Sequence, residues 1–250
     1  MPNFKLVIEY DGTNYHGWQR QKDLITIQEI IEKAIQKMTD CQISVIGSGR
    51  TDAGVHALKQ VANFHCQTHL TPDIFYKGLN SLLPNDIVIK SCTQVEDSFH
   101  SRFNAKRKTY QYIIFNQAHR TALFNRYCYY VRKPLQIEAI ENACKDLIGT
   151  YDYKSFQGGT DQHLSSTIRT VYQASIKKEI DGILVFSIEA NGFLRYMVRT
   201  IVGTMIHIGM GQLPPDCILP IIQSRSRDSA GPTAPPQGLF LVNVVYDNDH

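Results

Sequence analysis

The dipeptide Asp181-Gly182 constrains this chain most, because of what flanks it. TVYQASIKKE (170–179) precedes it and ILVFSIEA (183–190) follows it, two long β-forming runs joined by a two-residue turn signal. Strands joined this tightly are antiparallel. FKLVIEY (4–10) alternates in the same way, with Phe4, Leu6, Ile8 and Tyr10 on one side. Short strands are expected at ISVI (43–46), near 60–67, 86–95 and 105–116, and at the last run, LFLVNVVY.

Helices lie between them. Thr26 and Glu29 have capping-box spacing ahead of Ile27, Ile30, Ile31, Ala34, Ile35 and Met38, which recur at helical intervals. Thr71 followed by Pro72 reads as a cap and first turn, with the helix ending before Pro84. A helix is expected over 135–148 with Gly149 as its terminator. A longer one carries Leu194, Met197, Val198, Ile201, Val202, Met205 and Ile206 on one face, with Arg195 and Arg199 one turn apart at its edge. A Ser/Arg/Gly/Pro-rich loop (224–238) leads to the last strand. Hairpins outnumber βαβ units, so the expected class is α+β, with helices packed on a mixed, mainly antiparallel sheet.

Composition narrows the function. Hydrophobic residues at 43% and charged residues at 20% describe a globular chain able to bury a core. MPNFKLVIEY lacks the basic and apolar regions of a signal peptide, and the longest apolar stretches carry Arg or Gly, so neither secretion nor a membrane span is expected. The six cysteines (41, 66, 92, 128, 144, 217) form no CxxC pair, as in a reduced, cytoplasmic protein. His65, Cys66 and His69 resemble a zinc cluster only in composition, since on a strand the imidazoles share one face and Cys66 points to the other. No metal site is expected.

Net charge is only +3, but its distribution is uneven. From Ser98 to Ile137 no acidic residue occurs, while Arg102, Lys106, Arg107, Lys108, Arg120, Arg126, Arg132 and Lys133 are interleaved with Phe and Tyr. Cations displace counterions from a phosphate backbone and aromatic faces stack on unpaired bases, a mixture suited to RNA. A solvated basic face with core aromatics is the plainer alternative.

Standard catalytic motifs are missing. There is no GxxxxGK[ST], no GxSxG and no HExxH, and Asp52 stands where a dinucleotide fingerprint needs its third glycine. No cofactor is expected. What remains is GSGRTDAGVHA (47–57), with Arg50 and Asp52 bracketed by Gly47, Gly49 and Gly54. Glycines allow close backbone approach to a ligand, and a guanidinium beside the carboxylate would keep it ionised. An Asx turn with a surface ion pair is the competing reading.

GRTDAGVHA resembles the active-site motif of the TruA family of tRNA pseudouridine synthases. YDGTNYHGWQRQ (10–21), FHSRFNAKRKTYQY (99–112), NGFLRYMVRTIVG (191–203) and APPQGLFLVNVVY (234–246) resemble that family's other blocks, in order. The resemblance implies a pseudouridine synthase fold of two similar halves around a central cleft, 1–104 carrying the aspartate loop and 105–250 carrying the active-site Tyr and Arg. It implies a cytoplasmic, cofactor-free homodimer acting on uridines at positions 38–40 of the tRNA anticodon stem–loop.

Residue by residue, Asp52 matches the catalytic aspartate, which adds to C1′, adds to C6, or acts as a base through a glycal. Arg50 matches the arginine that fills the space left by the flipped uridine. Tyr110 matches the tyrosine stacked on that base. Arg199 matches the arginine paired with the aspartate. Phe99, His100, Ser101, Arg102 and Phe103 match an RNA-contacting segment.

Two departures stand out. Leu70 lies where the family has a second basic residue, and the loop SFQGGTDQHL (155–164) has no Arg or Lys for RNA. His56 is read as a packing histidine rather than an RNA contact, and Trp18 as an anchor near the active-site loop. Two other functions fit the same residues, a non-catalytic RNA-binding protein and a base-excising glycosidase. The glycosidase would need Glu9 or Asp11 as a second acid.

Overall fold

A computed structural model of the chain describes residues 1–159 and 166–247. In chain order its strands are β1 (Asn3–Tyr10), β2 (Ile46–Gly47), β3 (His56–His65), β4 (Ile87–Val95), β5 (Arg107–Asn116), β6 (Tyr129–Val131), β7 (Gly149–Asp152), β8 (Ile168–Lys178), β9 (Ile183–Ala190) and β10 (Leu239–Val245). The helices are α1 (Ile27–Thr39), α2 (Pro72–Leu82), α3 (Ile137–Asp146), α4 (Met197–Gly209) and α5 (Ile218–Ser224). Two compact units form, Met1–Lys106 with Phe240–His250, and Arg107–Leu239. The class is α+β with mainly antiparallel pairing, as the sequence leads one to expect.

In the first unit β1 lies between β4 and β3, antiparallel to both. β2 adds antiparallel to β3, and β10 adds parallel to it, Phe240 beside His56. The alternation in β1 is real: Phe4, Leu6, Ile8 and Tyr10 are all buried. Phe75 of α2 packs against Phe4 of β1 and Phe64 of β3, with ring centres 4.8 and 5.3 Å away. Thr71 caps α2 by accepting from Ile74 N, with Pro72 at the helix start.

Several local expectations need correction in this unit. Thr26 precedes α1, but its side chain makes no capping hydrogen bond. Tertiary structure takes over: Ile27 N and Gln28 N donate to the carbonyls of Gly17 and Trp18, and Glu29 pairs instead with Lys33 at 2.9 Å. ISVI shrinks to the two-residue β2, because Val45 is bound by helix side chains, its N–H to Glu32 Oε1 and its carbonyl to Gln28 Nε2. The strand expected near 60–67 begins earlier, at His56.

In the second unit β5, β9, β8 and β7 are successive antiparallel neighbours, and β6 lies parallel to β5. The hairpin at 181–182 exists, but its turn is a 3-10 segment, Ile180–Gly182, closed by Glu179 N to Ile183 O, with Gly182 at φ +77°. Gly149 does not cap α3. The helix ends at Leu147 in a right-handed conformation, and Gly149, at φ +139°, opens β7.

The expected helix near the chain's last quarter is more deeply buried than a surface amphipathic helix, with Arg199 at the edge of its buried face. Every residue of α4 except Arg199 and His207 is buried. The loop before β10 covers it: Ala234 N donates to Arg199 O, and Gly231 N to Thr204 Oγ1. A Cβ at Gly203 would overlap the Pro232 carbonyl, so this close approach requires glycine. Arg195 lies outside α4, because Tyr196 adopts φ 61°, ψ 0° and breaks the helical path before Met197. Among the described residues no helix is long and apolar enough to cross a membrane.

Candidate active site

The loop carrying Asp52 leaves β2 at Gly47 and enters β3 at His56. Its ends are fixed by the sheet and by side chains. Ser48 N donates to Val61 O, Ser48 Oγ to Gln60 Oε1 at 2.7 Å, and Gln60 Nε2 returns to Gly49 O at 3.0 Å. Thr51 Oγ1 meets Tyr10 Oη at 2.8 Å, and Thr51 O accepts from Trp18 N. After the aspartate, Gly54 turns with φ +76° and donates to Tyr15 O.

A second loop, residues 11–19, wraps this one, and glycines set the spacing. A Cβ at Gly12 would overlap Val55 O, and one at Gly17 would overlap Thr51 O. The Trp18 indole lies under Gly47, where a Cβ would come within 2.5 Å of its ring. Trp18 is buried at 2% exposure, which accounts for its anchoring role. His56 is buried too, stacked on Phe240 at 4.7 Å. Its Nδ1 lies 3.1 Å from Gly12 N and 3.0 Å from Asp11 Oδ1. Nδ1 accepts the Gly12 N–H, with the Asp11 carboxylate beside it, so His56 ties the two loops together.

Within this rigid frame Arg50 is exposed and Asp52 half-buried. The other two acids weighed from the sequence have structural partners: Glu9 Oε2 accepts from Lys90 Nζ at 2.8 Å, and Asp11 Oδ1 accepts from Thr13 N. Among the described residues no group of three or more His, Cys, Asp or Glu is placed to hold a metal. In the HCQTH stretch Cys66 is buried and His69 exposed, and burial pushes the Cys66 thiol up.

FHSRFN (99–104) forms a tight turn in the same unit, and its residues divide in two. Ser101 is fully buried; its N–H donates to Asn63 Oδ1, its hydroxyl to Ile46 O, and its carbonyl accepts from Tyr246 Oη. Phe99 packs on Tyr246 at 5.2 Å, and its carbonyl accepts from Asn3 Nδ2. His100, Arg102 and Phe103 stand on the outer side. His100 Nδ1 accepts from the N–H groups of Arg102 and Phe103, its ring lies 4.3 Å from the Phe103 ring, and the Arg102 guanidinium lies over the same ring. Phe103 is 75% exposed. Sequence matching treats all five alike, whereas the structure buries Ser101, leaves Phe99 and His100 half-buried and exposes Arg102 and Phe103.

Tyr110 and Arg199 belong to the second unit. Tyr110 is on β5, buried, with its ring edge-on to Phe193 at 5.1 Å. Its neighbour two residues on, Tyr112, is fully buried and donates to Pro235 O at 2.7 Å; burial pushes that hydroxyl far above the usual tyrosine range. Arg199 lies in the first turn of α4, half-buried. Its Nε donates to Ala234 O at 2.8 Å, and its guanidinium carbon is 5.1 Å from the Tyr196 ring centre. The left-handed backbone of Tyr196 costs roughly 1–3 kcal/mol for a bulky side chain, and nothing in the string LRYMVR announces it. Leu70 is half-buried and follows Thr68, whose hydroxyl accepts its N–H. The 155–164 loop is described only to Gly159; positions 160–165 lie outside the described residues.

A family model described as tRNA pseudouridine synthase matches residues 6–104 and 143–247, which include Asp52, Arg50 and Arg199, while Tyr110 falls between the matched stretches. The chain is 48% identical over 246 residues to tRNA pseudouridine synthase A of Thermoanaerobacter sp. (strain X514), covering 98% of this chain and 100% of the relative. The protein of the same name in Caldicellulosiruptor bescii is also 48% identical, and that of Clostridium acetobutylicum 43%, with the same coverage. With the family model spanning most of the chain and relatives matched end to end, the chain belongs to the tRNA pseudouridine synthase family.

Proposed function

We propose that this protein converts uridine to pseudouridine in tRNA, at positions 38–40 of the anticodon stem–loop, as a cytoplasmic homodimer needing no cofactor. The observation that carries the reading is the Asp52 loop, a half-buried carboxylate on a loop whose backbone is held by Gln60 and Trp18 and whose Thr51 side chain is held by Tyr10. A group that must meet a flipped nucleotide gains from such preorganisation.

In this reading Arg50, exposed on the same loop, enters the helix as the uridine leaves it. Asp52 engages the nucleoside, the N-glycosidic bond breaks, the uracil turns and C5 joins C1′. The C5 proton is then lost and N1 gains one, so the product is an isomer of the substrate. Tyr110 stacks on the extruded base and Arg199 pairs with the Asp52 carboxylate. His100, Arg102 and Phe103 contact the RNA, with Phe99 and Ser101 holding them in place. The basic, acid-free stretch from Ser98 to Ile137 supplies the wider phosphate contacts.

The test is an anticodon stem–loop RNA and full tRNA carrying tritium at uracil C5. Tritium release with an intact strand, mapped to positions 38–40, is the expected result. No release from RNA that is bound would mark a binding protein, and free uracil would mark a glycosidase.

A further inference from the structure

Tyr196 stands between two guanidinium groups. Its ring centre is 5.1 Å from the Arg199 guanidinium carbon and 4.8 Å from that of Arg195, and its hydroxyl accepts from Arg195 Nη2 at 3.1 Å. Both cations lie within cation–π range of one ring.

The backbone is bent to achieve this. At φ 61°, ψ 0° the residue sits where Gly or Asn is at ease and an aromatic is not. Three hydrogen bonds hold the bend, Gly158 N to Arg195 O, Met197 N to Leu194 O and Thr200 N to Tyr196 O. Space is reserved as well, because a Cβ at Gly158 would overlap Tyr196 Cδ2. Backbone preference therefore does not explain a tyrosine here; its ring does.

We infer that Tyr196 is a positioning residue for Arg199. The ring supports one face of the guanidinium while Ala234 O takes Nε, so the plane of the fork is fixed before substrate arrives. This rests on the role proposed above for Arg199, and Tyr196 acts on the reaction only through that side chain.

Four variants assayed on tritiated tRNA test it, alongside thermal unfolding. Tyr196→Asn relieves the backbone and removes the ring. It should keep or raise the unfolding midpoint, lower kcat about tenfold, the loss of one partly desolvated cation–π contact, and leave KM for tRNA within about twofold. Tyr196→Phe should keep most of kcat, since the ring face and not the hydroxyl meets Arg199. Tyr196→Leu keeps the strain and bulk without the π face, so its kcat should fall with that of the Asn variant. Arg199→Ala is the benchmark. If it is inactive while Tyr196→Asn or Tyr196→Leu matches the parent in kcat, the inference fails and the reading of Arg199 stands. If Arg199→Ala keeps parental kcat, that reading fails first. Should Tyr196→Asn not fold, the Leu and Phe variants decide: equal kcat in the two overturns the inference.

Discussion

Thr51 Oγ1 lies 2.8 Å from Tyr10 Oη, so the residue before Asp52 is fastened to the core strand β1. Both partners are buried, and burial pushes the Tyr10 hydroxyl far above the usual tyrosine range, which keeps it neutral wherever the enzyme works. Tyr10→Phe leaves the Thr51 hydroxyl short of a partner. A stability loss of about 1 kcal/mol is expected, with a larger proportional fall in kcat than in tRNA affinity. Chemical denaturation and steady-state kinetics check this; equal losses in kcat and affinity would count against loop placement.

Gly47 meets Trp18 on the other side of the same loop. Gly47→Ala puts a methyl within 2.5 Å of the indole, and something must move. Overpacking of this kind costs about 1–3 kcal/mol, and activity should fall well below the parent. Trp18 is the sole tryptophan, so its fluorescence reports the displacement directly. An unshifted emission spectrum with full activity would show that the loop yields easily.

The division within FHSRFN gives a paired prediction. Phe103→Ala removes a ring that is 75% exposed, so stability should stay within about 0.5 kcal/mol of the parent. RNA binding should weaken by about 1–3 kcal/mol if the ring stacks on a base. Ser101→Ala should do the reverse, destabilising by about 1–2 kcal/mol through Asn63 and Ile46. Filter binding and thermal melts separate the two outcomes.

Asp152 links β7 to α5. Burial alone would raise its carboxyl, but hydrogen bonds from Thr167, Arg225 and Lys154 N outweigh burial and hold it below the ordinary value. A depressed carboxylate contributes stability that is fully present above the unfolded-state value, about 3.9, and is lost as pH falls through the lower folded-state value. Asp152→Asn should therefore be less stable than the parent by about 1 kcal/mol at neutral pH, with the gap closing below about pH 4. A gap that is constant with pH would exclude the charge as the cause.

The sequence is most legible where structure is local. Thr71 and Pro72 define the start of α2 because cap and first turn lie within four residues. Thr26 misleads because the N–H groups after it are taken by Gly17 and Trp18, which only the fold brings there. α5 is hidden by Pro220, which sits in the helix's first turn, where its missing N–H costs nothing. Asp52 and Arg199 are legible only through blocks spread along the chain. The strained Tyr196, the Gln60 strut under Gly49 and the inward turn of Ser101 are set by contacts between segments distant in sequence, and no local pattern encodes them.

The central claim is that the Asp52 carboxylate drives the isomerisation. The most direct measurement is tritium release from tRNA labelled at uracil C5 by Asp52→Asn, made under single-turnover conditions with enzyme in excess. The substitution keeps the side chain's size, removes its charge and basicity, and exchanges one acceptor oxygen for an NH2 donor. Release should vanish while tRNA binding persists. Release at the parental rate would contradict the account.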